Sequence, residues 1–132
     1  MTYRIVIRRI RKPQETTLND ELQWFGNSLG LFSERDKDRS CFRLFIELLK
    51  AAKQDRPLSS DELAWKLGLT RGTVVHHINK LMDNGMVVTL HKRYILREPN
   101  LKVLLEKMKK DFDRAYNELY AAADEMDRLL GE

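Results

Sequence analysis

Residues 70–87 read "TRGTVVHHINKLMDNGMV" and place two adjacent histidines, His76 and His77, in a segment with helical periodicity. An imidazole can bind a metal, carry a proton or donate a hydrogen bond to a nucleic acid, and its setting decides which. Val74, Ile78 and Leu81 recur at i, i+4 and i+7, which predicts one buried stripe on a helix. At about 100° per residue, the opposite face carries Gly72, Val75, His76, Asn79 and Lys80, with Thr73 at its edge. Neighbouring residues do not share a helix face, so the two imidazoles cannot chelate one ion together. His77 falls beside the buried stripe and is expected to be part-buried with a local hydrogen bond. His76 is expected on the open face.

That open face has the chemistry of a duplex reader. His76 can donate to a base edge or a phosphate, Asn79 can pair with an adenine edge, and Val75 can touch a thymine methyl. Arg71 and Lys80 would meet phosphates, and Gly72 would let the start of the helix approach the backbone closely. The candidate DNA-binding set is Thr70, Arg71, Gly72, Thr73, Val75, His76, Asn79 and Lys80, together with His91, Lys92 and Arg93 from a basic hairpin tip.

Such a face needs elements that hold it outward. Ser59 and Glu62 form the S-x-x-E capping pattern that starts one helix, and Gly68 closes it. Thr70 caps the next helix, and Asn84-Gly85 ends it. Ala64 supplies the small residue where two crossing helices approach, and Gly68 supplies a positive φ at the turn. Leu63, Leu67, Leu69 and Val74 are the apolar positions around them. Residues 86–97, "MVVTLHKRYILR", read as a short two-stranded hairpin. Upstream, residues 38–53 predict a helix with apolar Cys41, Phe45, Leu48 and Ala52, widened by Phe42 and Leu49, and Pro57 stops it. The order helix, helix, turn, helix, hairpin is that of a winged helix-turn-helix. The expected fold class is mainly α (α+β).

Toward the N-terminus, residues 3–10 ("YRIVIRRI") are β-branched and partly alternating, which predicts a short strand ended by Pro13. Its basic residues Arg4, Arg8, Arg9, Arg11 and Lys12 fit either a nucleic-acid arm or an edge strand protected by charge. Residues 18–30 predict a helix with Leu18, Leu22, Phe25 and Leu29 on one side, and "SERDKDRS" reads as a charged linker. Three regions result: 1–37, strand and helix; 38–98, the winged domain; 99–132, a long helix.

In that last helix Leu101, Leu105, Met108, Phe112, Ala115, Leu119, Ala122, Met126 and Leu129 alternate in steps of four and three. This is the 3.5-residue repeat of a coiled-coil seam. Leu104, Tyr116, Ala123 and Leu130 broaden it. A helix of roughly 45 Å, at 1.5 Å per residue, exceeds what a small winged domain can cover, so a homodimer is expected.

The formal net charge is +4, but residues 1–99 hold 18 Lys/Arg against 12 Asp/Glu, while residues 100–132 hold 6 against 8. The window 66–97 carries Lys66, Arg71, Lys80, Lys92, Arg93 and Arg97 against Asp83 alone. One face therefore suits a polyanion. The single cysteine, Cys41, excludes an intramolecular disulfide framework and a thiolate-rich cluster. No apolar stretch reaches the ~18 residues of a membrane span, and a cytoplasmic setting is expected. No cofactor is expected.

The segment "TRGTVVHHINKLMDNGMV" resembles the recognition helix of ArsR- and MarR-type winged-helix transcription regulators, and "SSDELAWKLGLT" resembles the helix and turn before it. The likeness covers residues 40–97. It implies a homodimeric DNA-binding protein with residues 70–82 in the major groove and the hairpin on the flanking backbone. The cysteine-rich ligand motif of the soft-metal sensors is absent, and residues 98–132 hold no histidine for the other sensor site, so metal sensing is not expected. Met108, Phe112, Tyr116, Tyr120 and Trp24 could line an effector pocket of the MarR kind. No Ser/His/Asp or Cys/His order and no Gly-rich phosphate loop suggests an enzyme. The competing reading is a winged-helix protein-interaction module of a transcription or replication assembly.

Overall fold

The computed structural model describes residues 4–14, 17–32 and 39–131. Five helices and one hairpin follow in the order α1 (Leu18–Ser28), α2 (Ser40–Lys53), α3 (Ser60–Leu67), α4 (Arg71–Asp83), β1 (Val87–Leu90), β2 (Arg93–Leu96) and α5 (Leu101–Leu129). This is the expected winged helix-turn-helix with a long C-terminal helix, and it is mainly helical. Most of the charged linker falls outside the described residues.

Local signals fix the helix starts. Thr17, Ser59, Thr70 and Asn100 each accept a backbone N–H from three residues on, satisfying donors that a helix start leaves open. Thr17 with Asp20 and Ser59 with Glu62 close full capping boxes. Gly68 ends α3 at φ 66°, and both its N–H and that of Leu69 donate to the Ala64 carbonyl. Space around a Cβ at Gly68 is open, so the left-handed backbone alone requires glycine there.

The core sits between α2, α3, α4 and the hairpin. Leu44, Phe45 and Leu48 of α2, Leu63 of α3, and Val74, Ile78 and Leu81 of α4 are fully buried. Each such side chain contributes on the order of 1.5–3 kcal/mol. Leu31 and Phe32 join this core from the segment after α1, and the Phe32 ring lies where a Cβ on Gly26 would stand, 1.9 Å from its Cε2. Of the apolar residues expected on one side of α1, Leu22 and Leu29 are buried, whereas Leu18 is exposed.

The hairpin pairs Val87 with Leu96 through Leu90 with Arg93. A third segment joins it: Leu58 exchanges backbone hydrogen bonds with Tyr94, at 2.9 and 2.7 Å, so the chain between α2 and α3 lies against β2. His91 and Lys92 form the two-residue turn at φ 52° and 63°. This geometry favours Asn-Gly. Converting the turn with His91→Asn and Lys92→Gly should raise stability by about 1 kcal/mol, read as a higher denaturant midpoint at unchanged m-value.

The N-terminal segment departs from its expected strand, of which Tyr3 lies outside the described residues. Residues 4–13 form no regular secondary structure and join no sheet. Their N–H groups do not find a ladder: Arg4 donates to the Asp83 carbonyl at 2.7 Å and Arg8 to the Ser28 carbonyl at 2.6 Å. Both acceptors are last-turn carbonyls that α4 and α1 leave unbonded. The alternation read in the sequence survives as a two-sided arm. Arg4, Val6 and Arg8 turn toward α4, and Ile5 and Ile7 turn toward α1 and α5.

Candidate nucleic-acid interface

Helix α4 presents the face the sequence anticipates. Val74, Ile78 and Leu81 are buried, while Arg71, Gly72, His76 and Asn79 are exposed and Thr73, Val75 and Lys80 half-exposed. Thr70, the exposed cap, donates its hydroxyl hydrogen to Thr73 at 2.8 Å, so the start of α4 is held by two threonines. Around Gly72 the space is open. The histidines diverge as their positions require: His76 is exposed, and His77 Nε2 lies 2.7 Å from the Ser40 Oγ at the start of α2. That contact ties α4 to α2. Among the described residues no three His, Cys, Asp or Glu side chains gather as a metal site.

The helix-turn-helix carries its own struts. Arg43 of α2 donates to the Leu67 carbonyl at 2.5 Å, closing the end of α3. Two of the anticipated cations are already engaged: Arg71 lies 3.7 Å from Asp61, and Arg93 lies 2.6 Å from Glu62. Such exposed pairs are worth about 0.2–1 kcal/mol, little enough for a phosphate to displace a carboxylate. His91 and Lys92 are exposed at the hairpin tip.

Glu62 is a residue the sequence reading saw only as a cap. Its carboxylate accepts from the Ser59 N–H and meets Arg93 of β2 and Arg56 of the α2–α3 loop, so it joins α3 to the wing. The Ser59 backbone hydrogen bond, aided by the Ser59 hydroxyl and the two arginines, holds its carboxyl below its usual value of 4.5 against the opposing effect of burial. A carboxyl with a lowered folded pKa contributes stability that is complete above its unfolded value and is lost as pH falls through the folded one. Melting curves taken across this acidic range should therefore show a steeper loss for the wild type than for Glu62→Gln, which carries no charge to titrate.

Helix α5 divides into two parts. Leu104 and Met108 are buried in this chain's own core, and ion pairs Arg97–Asp111 (2.6 Å) and Lys107–Glu98 tie its first turns to the end of the wing. Leu101 is half-buried, and of the proposed seam Met108 is taken up internally. From Phe112 onward Ala115, Leu119, Ala122, Met126 and Leu129 are exposed, Leu119 at 70% and Leu129 at 77%. Phe112, Tyr116 and Tyr120 form a row of rings with centroids 6.3 and 6.4 Å apart.

The anticipated effector pocket is only partly assembled. Trp24, Met108 and Phe112 meet Ile5, Ile7 and Phe25 around an apolar cleft of about 340 Å³, whereas Tyr116 and Tyr120 lie further along α5, outside it. The arm that supplies Ile5 and Ile7 was not part of that expectation. It is fastened by Trp24 Nε1, which donates to the Ile10 carbonyl at 2.9 Å.

The profile of a protein family described as winged helix-turn-helix DNA-binding matches residues 46–88, from the middle of α2 to β1. Neither a curated protein nor a solved structure matches the chain. The match supports DNA binding and a role in transcription regulation, and no helix among the described residues is long and apolar enough to cross a membrane.

Proposed function

We propose that the chain is a transcription regulator of the ArsR/MarR-like type, acting in the cytoplasm without a metal, that binds double-stranded DNA sequence-specifically as a homodimer. The observation that carries this reading is the outward face of α4. His76, Asn79 and Lys80 stand on a helix whose other side is locked into the core by Val74, Ile78 and Leu81. In this reading α4 enters the major groove, Asn79 and His76 meet base edges, and Arg71, Lys80 and Lys92 meet phosphates. The apolar row from Phe112 to Leu129 covers its partner in a second copy of the chain. Two copies would then address half-sites ~34 Å apart, one turn of duplex.

A photo-reactive residue at each of two positions tests both parts. At position 79 it should couple to duplex DNA, and at position 120 to a second protein chain. Adducts at 79 with protein but never with DNA would overturn the reading of α4.

One observation favours the second reading, a winged-helix protein-interaction module. Trp65 on α3 is 87% exposed, a large aromatic of the kind enriched at protein interfaces. If it is the contact, Trp65→Ala abolishes partner capture and leaves DNA affinity unchanged.

A further inference from the structure

We propose that the N-terminal arm and the C-terminal half of α4 together form an anion-binding cleft that grips a backbone phosphate of the duplex beside the α4 face. The proposal rests on the DNA-binding reading above and adds a contact that lies outside the winged domain. The cleft has a volume of about 450 Å³ and is lined by Arg4 and Arg8 from the arm and by His76, Asn79, Lys80 and Asp83 from α4. Three cations thus face one carboxylate, and His76 and Asn79 belong both to this cleft and to the outward face of α4.

The arm is set in place by its backbone, which leaves its side chains available. The Arg4 and Arg8 N–H groups donate to the ends of α4 and α1, and Val6 packs on Gly30, where a Cβ would come within 3.0 Å of Val6 Cγ1. Arg4, Val6 and Arg8 line this one cleft while Ile5 and Ile7 line another, so fixing Val6 on Gly30 keeps Arg4 and Arg8 on the same side. Several cations elsewhere on this surface are already engaged. Arg71, Arg93 and Lys12 each have a carboxylate partner, at 3.7, 2.6 and 3.2 Å. Among the described residues, Arg4, Arg8 and Lys80 have no ion-pair partner, although Asp83 shares their cleft. Three cations sharing a cleft with one carboxylate keep an excess of positive charge, and an anion entering between them relieves their mutual repulsion. A duplex phosphate meets this need and is within reach of a protein already docked through α4. Arginine is suited to it, since its planar fork can donate two hydrogen bonds to phosphate oxygens.

The test compares wild type, Arg4→Ala/Arg8→Ala and Arg9→Ala/Arg11→Ala by anisotropy on a selected duplex and on a scrambled one across a salt series, with melting temperatures to confirm folding. Arg9 and Arg11 are exposed arm cations that do not line the cleft. The Arg4/Arg8 variant should lose about 10- to 100-fold in affinity for both duplexes near 100 mM salt, and its log–log salt slope should fall by about 0.9, the share of one phosphate. The ratio between the two duplexes should stay as in the wild type. Arg4→Lys/Arg8→Lys should retain most of the slope, because each lysine keeps its charge. An equal loss in the Arg9/Arg11 variant would overturn the cleft in favour of a diffuse basic arm. So would an unchanged slope in the Arg4/Arg8 variant while the wild type still binds. If wild type binds neither duplex, the DNA-binding reading falls and takes the cleft with it.

Discussion

Leu119→Glu with Met126→Glu should yield a folded monomer whose affinity for a duplex carrying two half-sites is lower by at least about 10²-fold. Leu119 and Met126 are 70% and 55% exposed in the single chain, so the glutamates leave its core intact, and surface changes of this kind stay within about ±0.5 kcal/mol. In a dimer the same positions lie in the seam, where each carboxylate would be desolvated against a leucine or a tyrosine of the partner. The loss on DNA follows from linkage of sites. In a dimer the second α4 would bind at an effective concentration set by its tether, and the monomer would lose that advantage without losing any contact of its own. Sedimentation velocity reads the mass, and anisotropy on whole and half sites reads the affinity. Half-site affinity should be unchanged. An unchanged mass, or an equal loss on whole and half sites, would contradict a dimer built on α5.

His76→Ala with Asn79→Ala should lower the preference for a selected site over a scrambled one by roughly 10- to 100-fold, since a good side-chain-to-base pair discriminates by about 1–3 kcal/mol. Both side chains are exposed on α4, and His77, which holds α4 to Ser40, is untouched. Lys92→Ala should behave differently. Its exposed ammonium at the hairpin tip would meet only phosphate, so the loss should be the same on both duplexes and the salt slope should shrink by about 0.9. Selection from a random duplex pool, followed by affinities of the recovered and scrambled sites, measures both variants. A double variant with full site preference would remove His76 and Asn79 from the reading face.

What could be read from the chain, and what could not, divides by the range of the interaction. The Ser59–Glu62 box, the Thr70 cap and the positive φ of Gly68 depend on residues within a few positions of one another, so their types reveal them. The buried stripe of α4 and the divergence of His76 from His77 follow from helical period alone. The arm was different. Its alternation was legible, but a strand requires a neighbouring strand, and nothing local discloses that its N–H groups would end on α1 and α4. For the same reason the Leu58–Tyr94 pairing, the Phe32 ring on Gly26 and the Arg93–Glu62 link stayed hidden, because each joins residues whose proximity only the finished fold creates. In α5 the heptad pattern was plain, yet it did not divide the helix. Burial of Leu104 and Met108 shows that the first turns serve this chain's own core, although Leu105 there is 44% exposed, and from Phe112 onward the whole apolar face is open.

The quantity that bears most directly on duplex recognition by α4 is the wild-type dissociation constant for a selected duplex, measured by fluorescence anisotropy beside a scrambled one from low to physiological salt. Binding at about 10⁻⁸ M or tighter, ~10³-fold or more stronger than to the scrambled duplex and falling steeply with salt, is the expected result. Binding to either duplex no tighter than ~10⁻⁵ M at low salt would contradict it and turn attention to a protein partner at Trp65.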